Sequence, residues 1–313
     1  MNETSGMGEG FVETLEHRRF AEFCDACRDC RHIGLCHGPP GVGKTLSARR
    51  YAQADRLAAL PPPEKLSREE LEEWSLQGTV FHTAPVVNSP GRVERAIAAL
   101  RGQLHGMLLE PLRREEEAAS LAALERERDL TRQWRESLSQ DWSLPSPPKP
   151  PPSSPSSWER QEHYQERRRA ISDPTRLVII DEADRFRMAS LEAARAVFDQ
   201  GGTGLVLIGM PGMEKRLTRY PQFYSRIGFV HTFRPLSADG VRSLLSGGWT
   251  PPGAGLPPLS EEAVTAAIRV TGGNFRLLDR LLAQTGRIAR INGLSAITAE
   301  AVHAARESLV IGQ

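Results

Sequence analysis

The sequence predicts an α/β fold, a parallel sheet flanked by helices, with a small helical domain after it. Three observations carry that prediction. A glycine-rich run, Gly38 to Thr45, sits between an apolar strand and a helix. A continuous apolar run, Leu177 to Ile180, ends abruptly in acid, as a buried parallel strand does. Strand and helix patterns alternate as far as Phe233 and give way to helices alone after it.

Glu13 to Arg31 reads as a helix, with Phe20, Phe23 and cysteines on one side, and His32 to His37 as a short strand. Gly43 to Leu57 continues as a helix that Pro61 to Pro63 breaks. Val80 to Val87 is the second strand. Ser89 and Pro90 then open a helix as N-cap and first residue, with Val93, Ile97, Leu100 and Leu104 as its apolar stripe. Residues 111–170 read as an insertion. Arg113 to Glu136 is a solvated, Glu/Arg-rich helix, Leu144 to Ser157 a Pro/Ser run, and Trp158 to Ala170 a charged helix.

Leu177 to Ile180 is the third strand, Ala189 to Phe198 a helix, and Gly204 to Ile208 the fourth strand. Gly212 to Tyr220 is helical and Gly228 to Thr232 is the fifth strand. Ser237 caps the first C-terminal helix. Trp249 to Leu259 is a Pro/Gly linker, Ser260 caps a helix through Val270, and Asn274 to Ile291 and Thr298 to Leu309 are two more. The predicted domains are a helical segment at 1–31, an α/β domain at 32–235 carrying the insertion, and a helical lid at 236–313.

Composition narrows the function. The chain has 313 residues and a formal net charge of +1, so no global basic field marks it for nucleic acid. No stretch approaches the about 18 consecutive apolar residues of a membrane span. Met1 to Gly10 is acidic and lacks the basic-then-apolar pattern of a secretory signal, so the cytoplasm is the expected location. The four cysteines fall at Cys24, Cys27, Cys30 and Cys36. Thiolates at such spacing can hold zinc or an iron–sulfur cluster. The preferred reading is packing, with Cys24, Cys27 and Cys30 on one helix face and Cys36 inside a strand.

Gly38, Pro39, Pro40, Gly41, Val42, Gly43, Lys44 and Thr45 match G-x4-G-K-[ST] in full. Glycines there let backbone N–H groups ring a phosphate, and the following helix points its N-terminus at the anion. Lys44 reaches the β/γ oxygens of a bound ATP and the Thr45 hydroxyl ligates Mg2+. This is a P-loop. Asp181, at the tip of the apolar run, supplies the magnesium carboxylate, and Glu182 beside it orients or deprotonates the attacking water. Asp181 to Asp184 also spells the DEAD-box helicase signature. No Ser-Ala-Thr motif follows the next strand, and no second sheet domain follows, so that reading is rejected.

A sheet ATPase domain with a helical lid resembles the AAA+ class. The chain more closely resembles the TniB/TnsC group of transposition ATPases, near the Orc/Cdc and ExeA-like AAA+ proteins. Gly38 to Thr45, Leu177 to Phe186, Leu205 to Leu236 and Gly272 to Leu278 carry the likeness. It implies that Arg226 is an arginine finger reaching a neighbouring subunit's γ-phosphate, and that Arg276 is a second sensor coupling nucleotide to lid angle. The polar first sensor common after the fourth strand is missing, since Gly209 and Met210 stand there.

The resemblance also implies a homo-oligomeric ring or filament on duplex DNA and a transposase-type partner. Arg92, Arg95, Arg101 and His105 are the candidate phosphate contacts, sequence-nonspecific and salt-dependent. Two other readings stay open: a signalling or defence nucleotide switch without DNA, and an ATP-binding adaptor that does not hydrolyse.

Overall fold

The computed structural model describes residues 11–140 and 157–309. The acidic start, Met1 to Gly10, and the Pro/Ser run as far as Ser156 lie outside the described residues. In chain order, α1 (Leu15–Cys30) leads to β1 (Ile33–His37), then α2 (Lys44–Tyr51), α3 (Ala54–Ala58), α4 (Arg68–Gln77), β2 (Thr79–Thr83), α5 (Pro90–Gln140) and α6 (Ser157–Ala170). There follow β3 (Leu177–Asp181), α7 (Met188–Asp199), β4 (Gly204–Gly209), α8 (Met213–Leu217), α9 (Pro221–Tyr224) and β5 (Ile227–Thr232). Helices α10 (Ala238–Ser246), α11 (Glu261–Thr271), α12 (Phe275–Ile291) and α13 (Ala299–Glu307) end the chain.

The chain divides into two compact units. One comprises Met1–Ala58, Thr79–Ile97 and Arg176–Gln313, and the other Ala59–Gly78 and Ala98–Thr175. The first unit holds a five-stranded sheet in the order β2-β3-β4-β1-β5, and every pairing is parallel. Central strands β3 and β4 are buried along their whole length, because helices cover both faces. Edge strand β5 alternates between half-buried and exposed positions. The order sets the carboxyl ends of β3, β4 and β1 side by side, where open α/β sheets gather ligands.

Capping fixes the helix starts. Thr14 accepts from His17 N, Ser237 from Gly240 N, Ser260 from Ala263 N and Asn274 from Leu277 N. Phe20, Phe23, Cys24 and Cys27 of α1 pack with Cys36, Ile179, Val206, Ile208 and Phe233. Helices α10 to α13 enclose a second core of Val241, Leu244, Leu278, Leu281, Leu282 and Val302.

Several elements differ from expectation. Cys30 is exposed while Cys24 and Cys27 are buried. At about 100° per residue, six positions fall roughly 120° short of two turns, so Cys30 cannot share their face. The helix after the P-loop is two helices, because Gln53 takes a left-handed backbone, φ 49°. Strand β2 ends at Thr83: Ala84 N donates to Asp181 O, and Pro85 has no N–H to continue the ladder. The Gly212 to Tyr220 helix is shorter, and Pro221 opens α9 after it. Helix α4 was not anticipated, although Ser67 and Glu70 close a capping box that the S-x-x-E pattern spells.

In the second unit, the solvated Arg113 to Glu136 stretch is part of α5, which passes through Pro111. Buried Glu110 binds Arg113 and Arg114, and Arg114 donates to Pro63 O and Leu66 O at 2.9 and 2.7 Å.

Candidate functional site

The loop from β1 to α2 is shaped by what its glycines allow. A Cβ on Gly38 would stand 2.2 Å from Phe233 O, so no other residue fits that turn. Gly41 has φ +80°, and a Cβ there would meet Asn274 Oδ1 at 2.7 Å. Val42 is buried and anchors the loop in the core. Pro39, Pro40 and Gly43 complete the run, and α2 begins at Lys44. Lys44 Nζ donates to Gly38 O and Pro39 O at 2.6 and 2.7 Å. Burial lowers its pKa from the ordinary lysine value, with nearby Asp181 and Asp184 opposing.

Asp181 is buried at the end of β3. Its Oδ2 accepts from Thr45 Oγ1 at 2.7 Å, and its Oδ1 from Glu182 N at 2.9 Å. Burial raises its pKa above the carboxylate norm, while the Thr45 and Glu182 hydrogen bonds pull it down. A hydroxyl and a carboxylate in contact are the hard oxygen donors that magnesium takes, so these residues fit that ion. Glu182 has a left-handed backbone, φ 54°, and pairs with Arg185.

These groups line a cleft of about 1060 Å³ shared with Arg49, Arg50, Asp184, Met210, Trp249, Phe275 and Arg276. The helical bundle reaches this cleft directly. Arg276 N donates to Gly41 O at 2.9 Å, and Asn274 Nδ2 donates to Pro40 O at 2.8 Å. Asn274 thus caps α12 and holds the P-loop at once. The sequence places a helix start at Asn274 but signals neither role, because the reach to Pro40 O depends on tertiary context. Aromatic rings supply one wall, with Trp249 and Phe275 centroids 5.1 Å apart. Met210 bears no polar side chain, as its type dictates, but its N–H donates to Asp184 Oδ1 at 3.3 Å. A carboxylate therefore stands beside the position where a polar side chain was sought.

Comparison with known proteins fixes the family. A model described as an AAA domain matches residues 28–217. The chain belongs to the AAA domain family. A Staphylococcus aureus relative, described as a potential ATP-binding protein, is 35% identical over 310 residues, 97% of this chain and 98% of that one. Among solved structures, Aeropyrum pernix Orc1 in complex with DNA matches with TM-score 0.50 and 20% identity, over 95% of this chain and 65% of that one. The AAA chain thus spans a little under two thirds of Orc1. Aeropyrum pernix Orc2 in ADPNP-ADP complexes matches with TM-score 0.50 and 12% identity, over 99% and 72%. A RuvB mutant from Thermotoga maritima matches with TM-score 0.50 and 14% identity, over 96% and 72%. At these identities the likeness is one of fold. This is an AAA+ ATP-binding protein, of a family that generally hydrolyses ATP.

Other residues of this AAA protein lie apart from the cleft. Arg226 precedes β5, and its carbonyl accepts from Ile33 N at the start of β1. The P-loop leaves the far end of β1, so strand length alone separates Arg226 from its own phosphate site by roughly 16 Å. Arg226 Nε donates to Asp199 Oδ1 at 2.8 Å and Nη1 to Gln222 O at 2.7 Å. Arg92 and Arg95 are exposed on the first turns of α5. Arg101 is held in a half-buried pair with Asp173 at 2.7 Å, and His105 bonds Ile171 O at 3.1 Å. Both side chains are thus engaged by the segment just before β3, whereas Arg92 and Arg95 are exposed. Burial raises the Cys27 thiol to about 12 and the Cys24 thiol well above its ordinary value, as expected of packed thiols. No helix among the described residues is long and apolar enough to cross a membrane.

Proposed function

We propose that this AAA protein binds ATP with Mg2+, hydrolyses it, and assembles in the ATP state as a ring or filament on duplex DNA. The observation that carries this is the Thr45–Asp181 contact beside Glu182, with the Arg226 guanidinium at the opposite end of the sheet. Thr45 and Asp181 hold magnesium, which neutralises charge on the phosphate oxygens. Lys44 and the loop N–H groups bind the phosphates. Glu182 orients water and takes its proton. Arg226 acts in trans on a neighbour's site, so hydrolysis follows assembly. Arg276 senses nucleotide from the helical bundle, taken as a lid over 236–313 on the ATPase domain at 32–235.

DNA contact is drawn from the resemblance to transposition ATPases and uses Arg92 and Arg95, without base readout. The protein then acts in the cytoplasm as a target-site regulator that hands bound DNA to a transposase-type partner, with hydrolysis resetting the assembly. The test is ATP turnover against protein concentration, alongside sedimentation. Turnover per subunit that rises with assembly, and falls about 10²-fold or more in E182Q, supports the reading. Turnover independent of concentration removes the trans site. A second reading, an ATP-binding adaptor that does not hydrolyse, is favoured by Met210 after β4, and zero turnover in assembled protein would establish it.

A further inference from the structure

We propose that the insertion pairs with a second copy of this chain, through one face of α5 laid antiparallel against the same face of the other copy. Arg114, Glu117, Leu121, Leu124, Arg128 and Thr131 recur along α5 at alternating spacings of three and four, the period of a seam between two helices. At about 100° per residue they form one stripe. Leu121 and Leu124, at its middle, are 63% and 51% exposed. Glu117 and Arg128, one turn beyond the leucines on either side, are exposed as well. Helix α6 leaves the stripe open. It meets α5 through Arg167 and Glu115, and Glu115 lies roughly 180° around the helix from Leu124.

The order of charges along this stripe selects the occupant. From Glu117 to Arg128 it runs acid, leucine, leucine, base. A second α5 in the reverse direction sets Leu121 against Leu124 and Glu117 against Arg128, and each contact occurs twice about a twofold axis. A parallel partner would set Glu117 on Glu117 and Arg128 on Arg128, which like-charge repulsion disfavours. Glu117 meets Arg113 of its own helix through Oε1, which leaves Oε2 to the partner. The leucines leave water at the centre and supply the attraction, while the charges fix direction and register. A twofold contact closes at two copies. It draws only on the second unit, so it needs neither nucleotide nor the phosphate loop.

Sedimentation of the full chain without nucleotide, over roughly 1–100 μM, tests this, because a contact this small is a transient one. Wild type should pass from one copy to two across that range, and L121A/L124A should stay single. E117R sets arginine against arginine and R128E sets glutamate against glutamate, so each alone should weaken pairing about tenfold or more. Mixed in equal amounts, the two variants should pair again, and the double variant E117R/R128E should pair with itself. Recovery from two defective chains also excludes misfolding as the cause of the loss. A wild type that stays single throughout overturns the proposal. So does pairing that survives L121A/L124A, and so does a mixture of E117R and R128E that shows no recovery.

Discussion

Thr45 and Asp181, 136 residues apart in the chain, are joined by a 2.7 Å hydrogen bond from the Thr45 hydroxyl to Asp181 Oδ2. The contact brings the first residues of α2 to the tip of β3, across the end of β4. Removing the hydroxyl deletes one magnesium donor and leaves one carboxylate oxygen short of a partner. T45A should weaken ATP binding in magnesium by about 10- to 100-fold, the range for a hydrogen bond to a charged group. Calorimetric titrations with and without EDTA measure this, and the loss should shrink in EDTA.

Asp181 carries a stability cost in the nucleotide-free protein. Burial raises its folded pKa above the unfolded value, so the folded state binds more protons than the unfolded one. Stability from this group is full below the ordinary carboxylate range of about 4 and is lost as pH rises through the raised folded value. D181N removes the charge, and Thr45 Oγ1 can accept from the new amide. The variant should therefore melt higher than wild type near neutral pH, with the gap closing on acidification, while it loses magnesium-dependent ATP binding. Thermal melts across pH check the sign.

Arg226 is pre-set by Asp199, whose other oxygen accepts from Arg195 Nη1 at 2.6 Å. R226A should bind ATP normally and lose turnover by about 10³-fold or more if the finger acts in trans. E182Q lacks the base and R226A lacks the finger, so each is inactive alone. Mixed in equal amounts, they should regain activity at interfaces where an E182Q subunit offers its arginine to an R226A site. Mixing with no recovery would remove the trans role.

Strand β1 lies hard against α1. A Cβ on Gly34 would stand 2.3 Å from Cys27 Sγ and 2.6 Å from Phe23 Cζ. G34A should cost about 1–3 kcal/mol through overpacking, read as a lower denaturation midpoint. Metal analysis of the purified protein should find no stoichiometric zinc or iron, because Cys24, Cys27 and Cys36 are committed to this core.

The sheet and the phosphate loop were legible in the sequence because each has a local cause. Leu177 to Asp181 can only be a buried strand ending in a carboxylate, and Gly38 to Thr45 leaves few other conformations. Ser237 and Ser260 announced their helices by chemistry at the cap. What escaped reading depends on tertiary context. Nothing local says that Asn274 reaches Pro40 O, that Asp184 stands beside Met210 N, or that Arg185 turns back onto Glu182 and Ala84 O. Arg101 looked available because its partner, Asp173, lies far along the chain. The break at Gln53 is a backbone choice that no helix breaker signals.

The central claim is that ATP loads this protein onto duplex DNA. Fluorescence anisotropy of a labelled random-sequence duplex, titrated with E182Q protein in ATP, in ADP and without nucleotide, tests it most directly. The account predicts binding in ATP alone, weakening steeply as salt rises by a slope of about 0.9 per phosphate neutralised, and reduced in R92A/R95A. No binding in any nucleotide state would contradict the DNA role and leave an AAA ATPase that acts as a nucleotide switch or an adaptor.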